Sequence, residues 1–170
     1  MNIERKWSMP SHITFNINPI SKLLDEEITE GVWLDPFARD SKRASITNDI
    51  NEDTSAEYHL DALTFLKMMA DDSADGVLYD PPYSLRQVKE CYNSIGRDLT
   101  SHESRYFFSD LKNEIARVVK SGGKVISFGW NSGGIGKKNG FDIERILLVP
   151  HGGPHNDTIV TVDIKRWFDE

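Results

Sequence analysis

Apolar positions along this chain recur in two periods. Spacing of three or four residues, the mark of one helix face, joins Ile20, Leu23, Leu24 and Ile28; then Leu63, Leu66 and Met69; then Phe107, Leu111, Ile115 and Val118. These patterns predict helices over 19–30, 62–70 and 103–120. Short apolar runs bounded by Gly, Pro or acids predict buried strands at 32–34, 45–50, 58–60, 76–79, 124–129, 143–149 and 158–164. The punctuation agrees. Asn18 stands where a helix N-cap belongs and Pro19 at the first helical position. Gly31 closes the first helix, Asp61 caps the second, and Gly122-Gly123 terminates the third. Residues 1–18 read as an irregular arm in which the alternation Ile13, Phe15, Ile17 predicts a short edge strand. The 84–101 stretch has weak periodicity and is the longest candidate for a mobile loop, with part of it helical. Residues 38–44 are too short for a full crossover helix, which needs roughly a dozen connecting residues. Strands alternating with helices, followed by a closing strand pair, predict one α/β domain over 1–170. Its sheet is doubly wound and mostly parallel, with an antiparallel edge strand.

Composition narrows the partners. The 170 residues suffice for one core. The net charge of -7 excludes a generally basic surface of the kind that grips duplex phosphates, so any basic face is local or comes from a partner. Cys91 is the single cysteine, which rules out an intrachain disulfide or a cysteine zinc site. No apolar run reaches membrane-spanning length and the N-terminus lacks a signal pattern, so a cytoplasmic protein without membrane contact is expected.

The chemistry concentrates where the strand at 76–79 ends, in Asp80-Pro81-Pro82-Tyr83. Two prolines cannot continue a hydrogen-bonded ladder, so the strand stops there. An acid, exposed carbonyls and an aromatic ring are then presented at the carboxyl edge of the sheet, where α/β folds bind ligands. Such a site suits a planar, amino-bearing base. Asp80 and the Asp80 or Pro81 carbonyl can accept hydrogen bonds from its NH2, and Tyr83 can stack on its ring.

In that setting Asp80-Pro81-Pro82-Tyr83 resembles the catalytic motif of the amino-methyltransferases that act on adenine N6 or cytosine N4 with S-adenosylmethionine. Leu34-Asp35-Pro36-Phe37 resembles the family's cofactor motif. Asn48-Asp49-Ile50-Asn51 resembles the acidic strand end that takes the ribose hydroxyls. Asp61-Ala62-Leu63 resembles the acid beside the cofactor's adenine, and Asn18-Pro19 the segment preceding the cofactor motif. The step 120–126, helix to Gly-Gly to strand, also matches, and the resemblance covers roughly 17–164 in order. It implies a Rossmann-like methyltransferase fold. It also implies a catalytic role for Asp80, Pro81, Pro82 and Tyr83, and cofactor contacts from Asn18, Pro19, Asp35, Pro36, Phe37, Asp49, Ile50, Asp61 and Ala62. The implied reaction is methyl transfer to a nucleobase amine, foremost adenine N6 in DNA, with RNA or cytosine N4 as the near variants.

Two departures shape the expectation. Where the family carries a Gly-rich turn, this chain has Ala38-Arg39-Asp40-Ser41. Arg39 or the Asn18 segment is then left to meet the cofactor's carboxylate, or cofactor binding is lost. There is also no room for a target-recognition domain. Substrate contacts are expected from Arg86, Lys89, Trp130, Lys137 and Lys138 in the 84–101 and 130–140 loops, with Arg97 an added candidate for phosphate contact. Target recognition beyond these falls to a second copy or a partner subunit. The alternatives are a methyltransferase-like binding protein that does not transfer, and one subunit of a hetero-oligomer. Gly133-Gly134-Ile135-Gly136 ahead of two lysines reads as a flexible loop more readily than as a phosphate cradle. His151, His155 and Asp157 read as a hairpin connection rather than a metal site.

Overall fold

A computed structural model describes residues 1–167. Seven strands form one sheet: β1 (Asn2–Arg5), β2 (Trp33–Asp35), β3 (Ile46–Thr47), β4 (Ala74–Tyr79), β5 (Val119–Gly129), β6 (Phe141–Val149) and β7 (Thr158–Lys165). Their spatial order is β1-β6-β7-β5-β4-β2-β3. Every neighbouring pair is parallel except those of β7, which runs antiparallel to both β5 and β6. The predicted α/β sheet is therefore present, but its antiparallel strand, expected at the edge, is third from the margin, with β6 and β1 outside it. Helix α1 (Asn18–Glu27) buries Ile20, Leu23 and Leu24 on one face of the sheet together with Phe15 and Ile17. Helices α2 (Ala62–Lys67) and α4 (Ser101–Val118) cover the other face through Phe65, Leu66, Leu111 and Ile115. Helix α3 (Leu85–Ser94) lies at the carboxyl rim, with Val88 and Tyr92 buried.

From β2 the chain moves outward to β3; from β4 it moves the opposite way, to β5. The sheet thus switches direction between β2 and β4, the crevice where open α/β sheets place ligands. Trp33 on β2 pairs with Gly76 on β4, and its ring lies so close that a Cβ on Gly76 would fall 2.5 Å from it. Only glycine lets a buried indole cross the neighbouring strand there.

Several local expectations are corrected. The arm at 1–18 is not wholly irregular: Asn2–Arg5 pairs with the outer edge of β6. The predicted strand at 13–17 is instead a 3-10 turn, Thr14–Asn16, because burying Phe15 on Phe128 outweighs a three-residue alternation. Asn18 is the first residue of α1 rather than its cap; Ile17 holds that position without a side-chain bond. The strand expected at 58–60 shrinks to one bridge, Asn48 to Tyr58. The 84–101 stretch is mostly α3, with the Ser84 hydroxyl accepting from Gln87 N as its cap. A Thr100–Glu103 capping box starts α4. That helix passes directly into β5, and Gly122 takes a positive φ of 77° at an irregularity in the β4–β5 pairing rather than ending the helix. No helix among the described residues is long and apolar enough to cross a membrane.

Candidate active site

The carboxyl ends of β2, β3 and β4 open onto a cleft of about 710 Å³. Pro36 and Phe37 line it after β2, Asp49 and Ile50 after β3, and Asp80, Pro81, Pro82 and Tyr83 after β4, with Ala62 and Trp130 joining from elsewhere. Most of the residues singled out in the sequence therefore meet in one place.

The strand ends are held by side chains. Asp35 Oδ1 accepts from the Phe37 N–H at 3.1 Å and turns the chain away from β2. Its Oδ2 is buried without a partner, and burial pushes the Asp35 carboxyl well above the usual range, with the charges of Asp80 and Asp49 adding to the effect. Asn48, fully buried, donates through Nδ2 to Pro36 O at 3.1 Å and Leu60 O at 3.0 Å, and accepts from Leu60 N at 3.0 Å. This one amide locks the ends of β2 and β3 to the 58–60 segment. Its partners lie twelve residues away on either side, so its role is invisible to local pattern.

The Asp80–Tyr83 turn is also fixed. The Tyr83 hydroxyl donates to Asp80 Oδ1 at 2.8 Å, and the Tyr83 N–H donates to Gln87 Oε1 at 2.8 Å. The Tyr83 ring meets Trp130 edge-on, with centroids 5.7 Å apart. Burial pushes the Asp80 carboxyl up to about 6, while the Tyr83 hydroxyl, Arg39 and Thr14 favour its ionised form. The same burial, with Asp80 beside it, pushes the Tyr83 phenol upward.

Arg39, in the turn after β2, takes the left-handed conformation glycine favours, at φ 51°. Its N–H donates to Asp49 Oδ2 at 2.9 Å and its guanidinium to His12 O at 2.8 Å. Asp49 Oδ1 accepts from Asn51 N at 2.9 Å, and Asp40 accepts from Ser55 N at 2.8 Å, which holds the Asp40 carboxyl below the usual range. The turn is thus folded on the acid after β3 rather than left open. A further cleft of about 370 Å³ runs from it along 13–16 and 40–43, and shares Thr14, Phe37, Arg39, Asp40 and Asp80 with the first. Thr14, which faces both clefts, carries no signal in the sequence.

Other candidates lie off the cleft wall. Asp61 caps α2 through Leu63 N at 3.0 Å, but its second oxygen is taken by the Tyr92 hydroxyl, with Arg97 at 3.4 Å. Arg97 also pairs with Glu103 at 2.5 Å, so it is spent inside the fold. Asp35 reaches the cleft only through Phe37, and Asn18 and Pro19 form the first turn of α1, outside the lining. Arg86 and Lys89 lie on the exposed side of α3, Arg86 paired with Glu90 at 2.9 Å. Lys137 and Lys138 are exposed on a 3-10 turn, Lys137–Asn139, also outside the lining. Where a phosphate cradle would need free N–H groups, Ile135 N already donates to Asp163 at 2.8 Å. His151 bridges Ser8 O and the Thr158 hydroxyl, which ties the N-terminal arm to β7.

No family model and no curated protein sequence matches this chain. Solved structures do. TrmN from Thermus thermophilus superimposes with a TM-score of 0.57 at 16% identity over 88% of this chain, which spans 49% of TrmN, about half its length. A Burkholderia thailandensis 1,6-didemethyltoxoflavin-N1-methyltransferase, solved with 1,6-didemethyltoxoflavin and S-adenosylhomocysteine, gives a TM-score of 0.58 at 12% identity over 87% of this chain and 77% of its own. Escherichia coli yhhF, a candidate methyltransferase, gives 0.52 at 12% identity over 95% and 90%. The likeness is one of fold: this chain has the Rossmann-like sheet of these methyltransferases.

The raised Asp80 pKa predicts a pH signature. The folded protein holds this proton up to about 6, whereas an unfolded aspartate releases it near 3.9. The folded state binds the extra proton between those values, so this group's contribution to stability is fully present below roughly pH 4 and lost as pH rises through about 6. Melting curves of wild type and Asp80→Asn across pH 4–8 should diverge with rising pH, the variant gaining relative to wild type. A pH-independent difference contradicts a desolvated Asp80.

Proposed function

We propose that this chain transfers a methyl group from S-adenosylmethionine to the exocyclic amine of a nucleobase, with adenine N6 in DNA as the foremost acceptor and RNA or cytosine N4 as variants. The observation that carries the reading is the placement of Asp80-Pro81-Pro82-Tyr83 after β4, on the cleft shared by the ends of β2 and β3.

The lining fits the cofactor's chemistry. Asp40, Asp49, Asp80 and Glu90 face this cleft and Arg39 is its single Lys or Arg among the described residues, a negative environment for a sulfonium and an ammonium. Asp49 would take the ribose hydroxyls, Ile50 and Ala62 the adenine faces, and Phe37 and Arg39 the amino-acid end. Asp61 reaches the adenine only if Tyr92 releases it. Bound there, S-adenosylmethionine supplies an electrophilic methyl group.

The protein's part is orientation. An exocyclic amine is a poor nucleophile because its lone pair is delocalised into the ring. Hydrogen bonds from its two N–H groups to Asp80 and a backbone carbonyl hold the nitrogen pyramidal, with the lone pair aimed across the cleft. The Tyr83 hydroxyl occupies Asp80 Oδ1, so Oδ2 is left for the amine. After transfer the nitrogen sheds a proton, and a carboxylate with a pKa of about 6 can accept it near neutral pH. Flipping a base from a duplex costs a few kcal/mol, which one stack of roughly 1–3 kcal/mol on Tyr83 or Trp130 offsets in large part.

Incubation with labelled S-adenosylmethionine and unmethylated DNA, RNA or nucleosides tests this. Label should enter the DNA amine, and Asp80→Ala should lower the rate by about 10²-fold or more through lost orientation. No transfer to any of the three contradicts methyl transfer and favours the second reading, a binding protein that keeps the cleft without the reaction. The arginine in the glycine position motivates that alternative.

Arg39 provides a second check. Arg39→Gly should raise the melting temperature by relieving a left-handed arginine, worth roughly 1 kcal/mol. It should weaken S-adenosylmethionine binding about tenfold in calorimetry, the size of one lost charge-assisted bond. Tighter binding by the variant contradicts the role given to the guanidinium.

A further inference from the structure

Adjoining the main cleft at the Asp80–Tyr83 turn lies a smaller one of about 150 Å³. Its walls are Pro81, Pro82, Tyr83 and Trp130, shared with the main cleft, together with Phe108 and Lys112 from α4 and the end of β5. Its volume equals about five water molecules at ~30 Å³ each, room for one ring and not for a nucleotide.

Its polar lining is unusual. Tyr79 and Ser127 are cross-strand neighbours in the β4–β5 register, both face α4, and both line this cleft. Tyr79 is 4% exposed and Ser127 9%, yet neither the Tyr79 Oη nor the Ser127 Oγ has a hydrogen-bond partner among the described residues. A buried hydroxyl left unpaired costs roughly 1–3 kcal/mol, and Phe or Ala in these positions would avoid the cost. Two such groups side by side at a strand end call for a ligand. Lys112, half-buried on the opposite wall, makes no ion pair among the described residues; burial pushes its ammonium down while Asp163 opposes the shift. The set offers two hydroxyls that donate or accept and one cation that only donates.

We propose that this cleft reads the ring edge of the acceptor: Tyr79 and Ser127 meet the ring nitrogen adjacent to the amine, and Lys112 meets a further acceptor atom where the ring has one. This rests on the reading of the main cleft as the methyl-transfer site. An amine beside an acceptor ring nitrogen is common to adenine and cytosine. Only cytosine adds a keto oxygen further along the same edge, so Lys112 separates the two.

The test is calorimetric titration of the full chain with adenosine and with cytidine, in the absence of methyl donor. Tyr79→Phe and Ser127→Ala should each raise the dissociation constant of the bound nucleoside about tenfold, while the melting temperature of the free protein stays level or rises because an unpaired hydroxyl is gone. Lys112→Met should weaken cytidine and spare adenosine. Unchanged affinity in the Tyr79→Phe/Ser127→Ala double variant, a lowered melting temperature in both single variants, or no binding of either nucleoside overturns the proposal. Nucleoside binding that depends on these residues, in a protein that transfers no methyl group, would sustain the subsite and refute the reaction.

Discussion

Everything at the carboxyl edge depends on how closely β2 and β4 approach. The buried Trp33 ring crosses Gly76, and no side chain could stand between them. That contact sets two strand ends side by side at the point where the sheet reverses direction. The acids at those strand ends, Asp35 and Asp80, then lie close enough for the Asp80 charge to help raise the Asp35 carboxyl. Close packing fixes their separation more firmly than a surface loop could.

The consequence is electrostatic. Burial raises both carboxyls, and Asp80 stays ionised near neutral pH because Tyr83, Thr14 and Arg39 surround it. Asp49, two residues past β3, spends its oxygens on the Arg39 and Asn51 N–H groups and thereby holds the turn after β2. The cleft is acidic with a single guanidinium, which favours a cationic ligand of limited size over a phosphate chain. Aromatic rings at Tyr83 and Trp130, rather than lysines, form part of its wall. Lys137 and Lys138 lie away from that lining.

Much of this was legible in the chain because the informative residues sit at strand ends. An apolar run that stops at Asp-Pro marks both a strand and its carboxyl edge, and that pattern locates Asp35 and Asp80. Asp49 lacks that proline signal; its place comes from the resemblance of 48–51 to an acidic strand end. What escaped were interactions between distant positions. Asn48 bonds partners twelve residues away, and Tyr92 reaches Asp61 across thirty-one. The pairing of Asn2–Arg5 with β6 joins opposite ends of the chain, so four residues without apolar alternation gave no sign of a strand. The hydroxyls of Tyr79 and Ser127 look like ordinary strand residues until the β4–β5 register sets them together.

The most direct test is a crystal structure of the chain with S-adenosylhomocysteine. The ribose should sit on Asp49, the amino-acid end by Phe37 and Arg39, and the sulfur should face Asp80 across the cleft. A ligand bound elsewhere, or no ligand at millimolar concentration in crystals with this cleft open to solvent, would contradict this placement.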